Sequence, residues 1–194
     1  MEYKKYKWFY TKSGKLVVGG KSAESNDSLL RELKDTNKNY IVMHTKAPGS
    51  PFSVIVAPIN EVTPSDIQEC SVFTGCFSKA WKQGINKTNV DIFQLSQLNK
   101  SSSMKSGTWS VTGKIQTNIV NLELVLVIQE KIIRAVPEIT ANKKEILAVV
   151  VPGKIDKVDY IKNTKMKEIK KLNKEQLLSA IPAGGVEFDK WLKH

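Results

Sequence analysis

The chain has 194 residues, 41% of them hydrophobic, enough for one domain with a full buried core or for one domain with a small appendage. Thirty Lys and Arg against 19 Asp and Glu leave a formal net charge of +11 and a pI near 9.5, so the expected partner is a polyanion. The longest apolar runs, LELVLVI at 122–128 and ILAVVV at 146–151, fall far short of the ~20 residues a bilayer-spanning helix needs, and MEYKKYKWFY has neither an apolar h-region nor a cleavage site; a cytoplasmic protein without a membrane span is expected.

Nearly all the positive charge is lysine, with only Arg31 and Arg134 as arginines. Lysine meets phosphate as a mobile point charge and seldom forms the planar fork that reads guanine, so the composition favours recognition of backbone and shape over base readout. A lysine-rich composition without functional meaning is the competing explanation.

The elements follow in chain order. KWFYT at 7–11 and KLVVG at 15–19, joined through Lys12-Ser13-Gly14, predict a hairpin. After the turn Gly19-Gly20-Lys21, Asn26 and Asp27 are plausible caps for a helix through LLRELK, whose Leu29, Leu30 and Leu33 share a face. YIVMH at 40–44 and SVIVA at 53–57 predict strands on either side of the loop TKAPGSPF. Thr63-Pro64-Ser65-Asp66 starts the best helix of the chain, whose apolar stripe Ile67, Cys70, Phe73, Phe77 and Trp81 runs on to Gly84. TNVDIFQL at 88–95 and TWSVTGK at 108–114 predict further strands around the polar loop SSSMKSG. From about residue 116 a sheet-like pair, NLELVLVIQ and EILAVVV, is expected, joined by a segment containing Pro137; a lysine-rich helix over about 156–171 and a shorter one in NKEQLLSAI precede the Pro-Ala-Gly-Gly break at 182–185. The fold class is therefore α+β, a mixed or mainly antiparallel sheet with one long and several short helices, plus a small α/β C-terminal extension. The expected division is 1–115 and an extension, 116–194, packed on it as one compact unit.

Four landmarks stand in order in the first part: WFYTKSGKLVVGGK at 8–21 followed by Asn26, MHTKAPGS at 43–50 followed by SVIV, CFSKAWK at 76–82, and GTWSVTGK at 107–114. In these landmarks the first ~115 residues resemble the NFACT RNA-binding domain, found in ribosome quality-control proteins and as small standalone proteins. Members of that family often carry a second histidine just after the Gly-Ser pair, where this chain has Pro51. The large members add further domains that engage tRNA and the large ribosomal subunit; at 194 residues the chain is expected to be a standalone module. The resemblance implies RNA binding, to tRNA or ribosomal RNA, with ribosomal or quality-control proteins as further partners, and no catalysis.

The expected binding face joins two glycine-containing loops, 19–21 and 44–50, to the basic stretch 79–114. Its residues are Gly20, Lys21, His44, Lys46, Gly49, Ser50, Lys79, Lys82, Lys105, Trp109 and Lys114. Glycines let backbone N–H groups approach an anion, although Gly19-Gly20-Lys21 has no nucleotide-loop spacing. His44 either faces RNA or ties down its own loop. Trp8, Trp81 and Trp109 are either stacking platforms or core, with core favoured for Trp81 by its place on the apolar stripe.

No catalytic constellation is present. The two histidines, His44 and His194, exclude a three-histidine metal site, and no Cys-x-x-Cys or His-Glu-x-x-His pattern occurs, so neither metal nor cofactor is expected. Cys70 and Cys76 on one helix would point about 120° apart and so cannot pair. Two alternatives stay open: an adaptor that docks on ribosomal or quality-control proteins, and an RNA-processing enzyme centred on His44.

Overall fold

A computed structural model describes residues 1–189; His194 lies outside them. In chain order the elements are β1 (Lys7–Tyr10), β2 (Leu16–Gly19), α1 (Ala23–Lys34), β3 (Ile41–Thr45), β4 (Ser53–Ile55), α2 (Pro64–Cys76), α3 (Lys79–Lys82), β5 (Lys87–Gln94), β6 (Leu98–Asn99), β7 (Ser110–Val111) and β8 (Gln116–Asn121). The tail adds β9 (Leu124–Gln129), β10 (Ile132–Val136), β11 (Ala148–Asp156), α4 (Lys157–Asn163), α5 (Lys167–Lys170), α6 (Lys174–Ala180) and β12 (Gly185–Asp189). Every strand pairing is antiparallel. The first sheet has the order β1-β2-β4-β3-β5-β8 and the second β10-β9-β11-β12, while β6 and β7 form a small ribbon.

The first sheet is covered on both faces, which is why its strands are nearly continuous apolar runs. Phe9, Val17, Met43, Ile55 and Ile92 pack with Cys70 and Phe73 of α2 on one side. Their neighbours Trp8, Val18, Val42, Val54 and Phe93 pack with Leu29, Leu30 and Leu33 of α1 on the other. The α2-side core continues into Leu124, Leu126, Val150 and Leu177, so both sheets share one apolar interior.

Polar contacts reinforce the junction. The side-chain amide of Gln129 pairs with the backbone of Tyr10 in both directions, at 2.9 Å each, and so covers part of the edge of β1. Buried Glu69 accepts from the Thr140 hydroxyl (2.8 Å) and the Lys12 backbone (2.9 Å), while Asp66 accepts from Ser13 and Thr63. Those hydrogen bonds hold the Asp66 carboxyl down at about 2 despite its burial.

Several elements differ from the sequence expectation. β8 lies beyond residue 115 yet pairs with β5 in the first sheet. The long helix stops at Cys76: Phe77 leaves the helical path, and the extended Ser78 caps a separate turn, α3, by accepting from Ala80 N. Asn26 and Asp27 are not caps but buried residues inside α1, whose cap is Ser22 in a reciprocal capping box with Ser25. The strand expected at 108–114 shrinks to β7, between Gly107 and Gly113, both with positive φ. The lysine-rich helix divides into α4 and α5 at the extended Thr164. Strands β10 and β12 add to the expected pair of tail strands. Cys70 and Cys76 are free and fully buried, and burial pushes both thiols up, away from reactivity.

Candidate nucleic-acid interface

A groove of about 610 Å³ opens where the Gly20-Lys21 turn, the segment 44–52 and the loop 106–109 meet α3. Its shape follows from three local arrangements. At the first wall, Gly20 faces the Asn26 side chain at a distance that leaves no space for a Cβ. Asn26 Oδ1 in turn accepts from Phe52 N (3.0 Å), which fixes α1 against the segment before β4. The turn's own N–H groups are engaged: Gly20 donates to Phe52 O (3.3 Å) and Lys21 to Ser25 Oγ (2.6 Å). The turn therefore offers the Lys21 side chain to the groove and not a nest of free amides.

The second wall is the Thr45–Ser50 loop. Ser50 Oγ accepts from Thr45 N (2.9 Å), Thr45 Oγ1 donates to Ala47 O (2.7 Å), and Gly49 O accepts from Lys79 N (2.8 Å), so the loop is locked to α3. Gly49 has a φ of +108°, which strains any other residue, and a Cβ there would also crowd the Lys79 side chain. His44 lies within β3, its ring 4.5 Å from that of Phe52, and its Nδ1 donates to Thr45 O (2.7 Å). The bond ties the ring to its own backbone, and His44 lines the groove as well. Burial lowers the imidazole below its ordinary value and so favours the neutral ring, against the backbone hydrogen bonds at Thr45 and Ser50 and the Asp91 charge, which favour the charged one.

Asp27 builds the third wall. Its carboxylate accepts from Lys100 Nζ (2.8 Å) and Trp109 Nε1 (2.7 Å), tying the loop from Lys100 to Trp109 onto α1. Burial works against its charge, but these donors and the Gly107 N–H outweigh it and hold the carboxyl below its usual range. Changing Asp27→Asn, which keeps the shape and removes the charge, is expected to cost about 2 kcal/mol in urea denaturation. Hydrogen exchange at residues 106–109 should rise with it; unchanged protection there would show that the loop is held by something else.

Of the residues singled out in the sequence, Gly20, Lys21, His44, Lys46, Gly49, Ser50, Lys82 and Trp109 line this groove. Lys79 borders it through Gly49. Lys105 and Lys114 do not line it; their backbone carbonyls accept from Lys100 and Gln97 and close the neighbouring loops. Trp8 and Trp81 are core, 2% and 0% exposed. The sequence reading missed Lys7, Phe77 and Asn26 on the lining. Lys7 was hidden in an apolar strand, where its Nζ rests 4.4 Å from the centre of the Phe77 ring. Asp91, the carboxylate among the described lining residues, is engaged by Thr117 Oγ1 (2.6 Å). Among the described residues no cluster of three or more metal-ligating side chains exists.

Comparison with known proteins matches these features to one family. Residues 5–113 match the NFACT protein RNA binding domain. The chain is 31% identical over 202 aligned positions to the archaeal Rqc2 homolog aRqcH of Methanocaldococcus jannaschii, a match that covers 97% of this chain and 29% of that protein. The chain thus spans under a third of that relative's length. Among solved structures, the C-terminal part of the fibronectin/fibrinogen-binding protein from Streptococcus suis superposes with a TM-score of 0.50 over 60% of this chain and 44% of that one, at 20% identity, a likeness of fold alone. With the matched span covering more than half of the residues and carrying all three walls of the groove, the chain belongs to the NFACT RNA-binding domain family.

Proposed function

We propose that the groove binds folded RNA, tRNA or ribosomal RNA, through its phosphate backbone, in translation or ribosome quality control, and that the chain does no covalent chemistry itself. One observation carries this reading. Lys7, Lys21, Lys46 and Lys82 gather on one concave surface, with Lys79 at its rim, and among the described residues none of them forms an ion pair. A surface that sets four lysines against the one carboxylate among its described lining, Asp91, is an electrostatic footprint for a polyanion. The half-buried indole of Trp109 offers a stacking surface for an unpaired base, and the His44 imidazole on the groove lining is placed to meet a ribose. The family to which the chain belongs and the quality-control name of its archaeal relative support the same reading.

Filter binding to bulk tRNA at two salt concentrations tests it. Affinity should fall steeply as salt rises, by an amount set by the number of phosphates neutralised. Weak, salt-insensitive retention would overturn RNA binding and leave docking on a protein as the function of this face.

A further inference from the structure

Arg134 in β10 stacks its guanidinium on the Trp8 ring at 4.4 Å, and among the described residues it forms no ion pair. Its charge acts on two lysines of the groove lining, Lys7 and Lys21. The β1–β2 register sets Lys7 opposite Gly19, beside the turn that carries Lys21. Lys82 of α3 comes in from the other side, where its backbone packs against Gly184 of the tail. The Gly184 carbonyl accepts from Lys157 N (3.1 Å), and Lys157 Nζ donates to the carbonyls of Leu178 (2.7 Å) and Ile181 (3.3 Å). Lys157 is therefore fastened to the tail but adds its charge to the same place. Lys7, Lys21 and Lys82 line the groove from three different elements, while Arg134 does not line it and stands on Trp8, the residue after Lys7 in β1.

Lys7 and Arg134 are half-buried and Lys21 and Lys82 exposed; half-buried cations without a paired acid are costly, and a fold that gathers them is ready for an anion. A guanidinium adds what lysines lack, a planar pair of donors matched to two oxygens of one phosphate. We propose that Arg134 reaches in from the tail to complete, with Lys7, Lys21 and Lys82, a clamp for a single phosphate of the bound RNA, so that residues beyond the matched span belong to the binding site. The clamp deepens the RNA-binding reading and rests on it for the source of the phosphate.

Lys7 supplies a second readout. Burial, then the charges of Lys157, Lys21, Arg134 and Lys82, lower it to about 8. A bound phosphate favours the charged amine and raises that value again. Binding is then at full strength below about pH 8 and declines as pH rises through the value in the complex.

The test compares the full chain with Arg134→Gln, Arg134→Lys and Lys7→Met, using bulk tRNA for affinity and inorganic pyrophosphate for thermal protection. Arg134→Gln should weaken tRNA binding about 10-fold at 0.1 M salt and reduce the salt slope by about 1, and Arg134→Lys should restore the slope. Lys7→Met should fold at least as well and lose the decline between pH 7 and 9. Pyrophosphate should raise the melting temperature of the unaltered chain more than that of Arg134→Gln. If Arg134→Gln keeps the original affinity and slope, or Lys7→Met keeps the pH dependence, the clamp is wrong. If tRNA fails to bind the unaltered chain while pyrophosphate still protects it through Arg134, the clamp stands and RNA as its source is wrong.

Discussion

Replacing Lys21, Lys46, Lys79 and Lys82 together by alanine is expected to flatten the dependence of log affinity on log salt by about 3, because each lysine that neutralises a phosphate contributes a slope of roughly 0.7 to 0.9. All four side chains are exposed, so the fold should tolerate the change. Two binding curves whose slopes differ by about 3 and that meet near 1 M salt stand about 1000-fold apart at 0.1 M. The loss should be similar across RNA sequences, since lysine reads charge and not base edges. The control is a second set of exposed lysines, Lys162, Lys165, Lys170 and Lys171, on and around α4 and α5 of the tail. Their removal lowers net charge by the same amount and so measures the long-range field alone. A tail set that dominates the slope while the groove set is silent would move the binding face to the lysine-rich helices.

The contrast between these two sets shows what the sequence makes legible. Lys21 and Lys46 sit in glycine-containing turns, and such turns announce exposure and close approach. Lys7 stands between Tyr6 and Trp8 in an apolar strand, and nothing local distinguishes it from a solvent-facing edge residue. Its relation to Arg134 spans more than half the chain and exists only because β10 folds back beside β1 through the Gln129–Tyr10 contact. The strands of the first sheet are legible because both faces are covered, as with Trp8 and Phe9, which belong to opposite cores. The break after Cys76 is not, because Phe73, Phe77 and Trp81 keep helical spacing across it while Ser78 caps a new turn. Asn26 and Asp27 mislead for a related reason. Their side chains suit helix caps, but here they satisfy partners at Phe52, Lys100 and Trp109, and pairings of such separation leave no local signal.

Two tryptophans set among lysines in the sequence have opposite fates, and that contrast gives the second large effect. Trp81 is wholly buried, and its Nε1 donates to Gly185 O (3.1 Å), joining α3 to the first residue of β12. Changing Trp81→Ala opens a cavity and orphans that carbonyl, at an expected cost of about 3–5 kcal/mol. For a chain of this length that is a fall of roughly 6–20 °C in melting temperature. The loss should appear in one cooperative transition, because the bond that is removed crosses from the matched span to the tail and both share one core. Trp109 is only half-buried and lies on a groove wall. Changing Trp109→Ala should cost less stability, about the 1–2 kcal/mol of its lost bond to Asp27, but weaken RNA binding by about 1–3 kcal/mol, the worth of one stacked base, or roughly 5- to 150-fold. Calorimetry and tRNA binding on the two variants separate core from contact surface. A Trp81→Ala protein that melts normally but no longer binds would place that indole against RNA, and a Trp109→Ala protein that binds normally would remove stacking from the recognition mode and leave the lysines alone to hold the backbone.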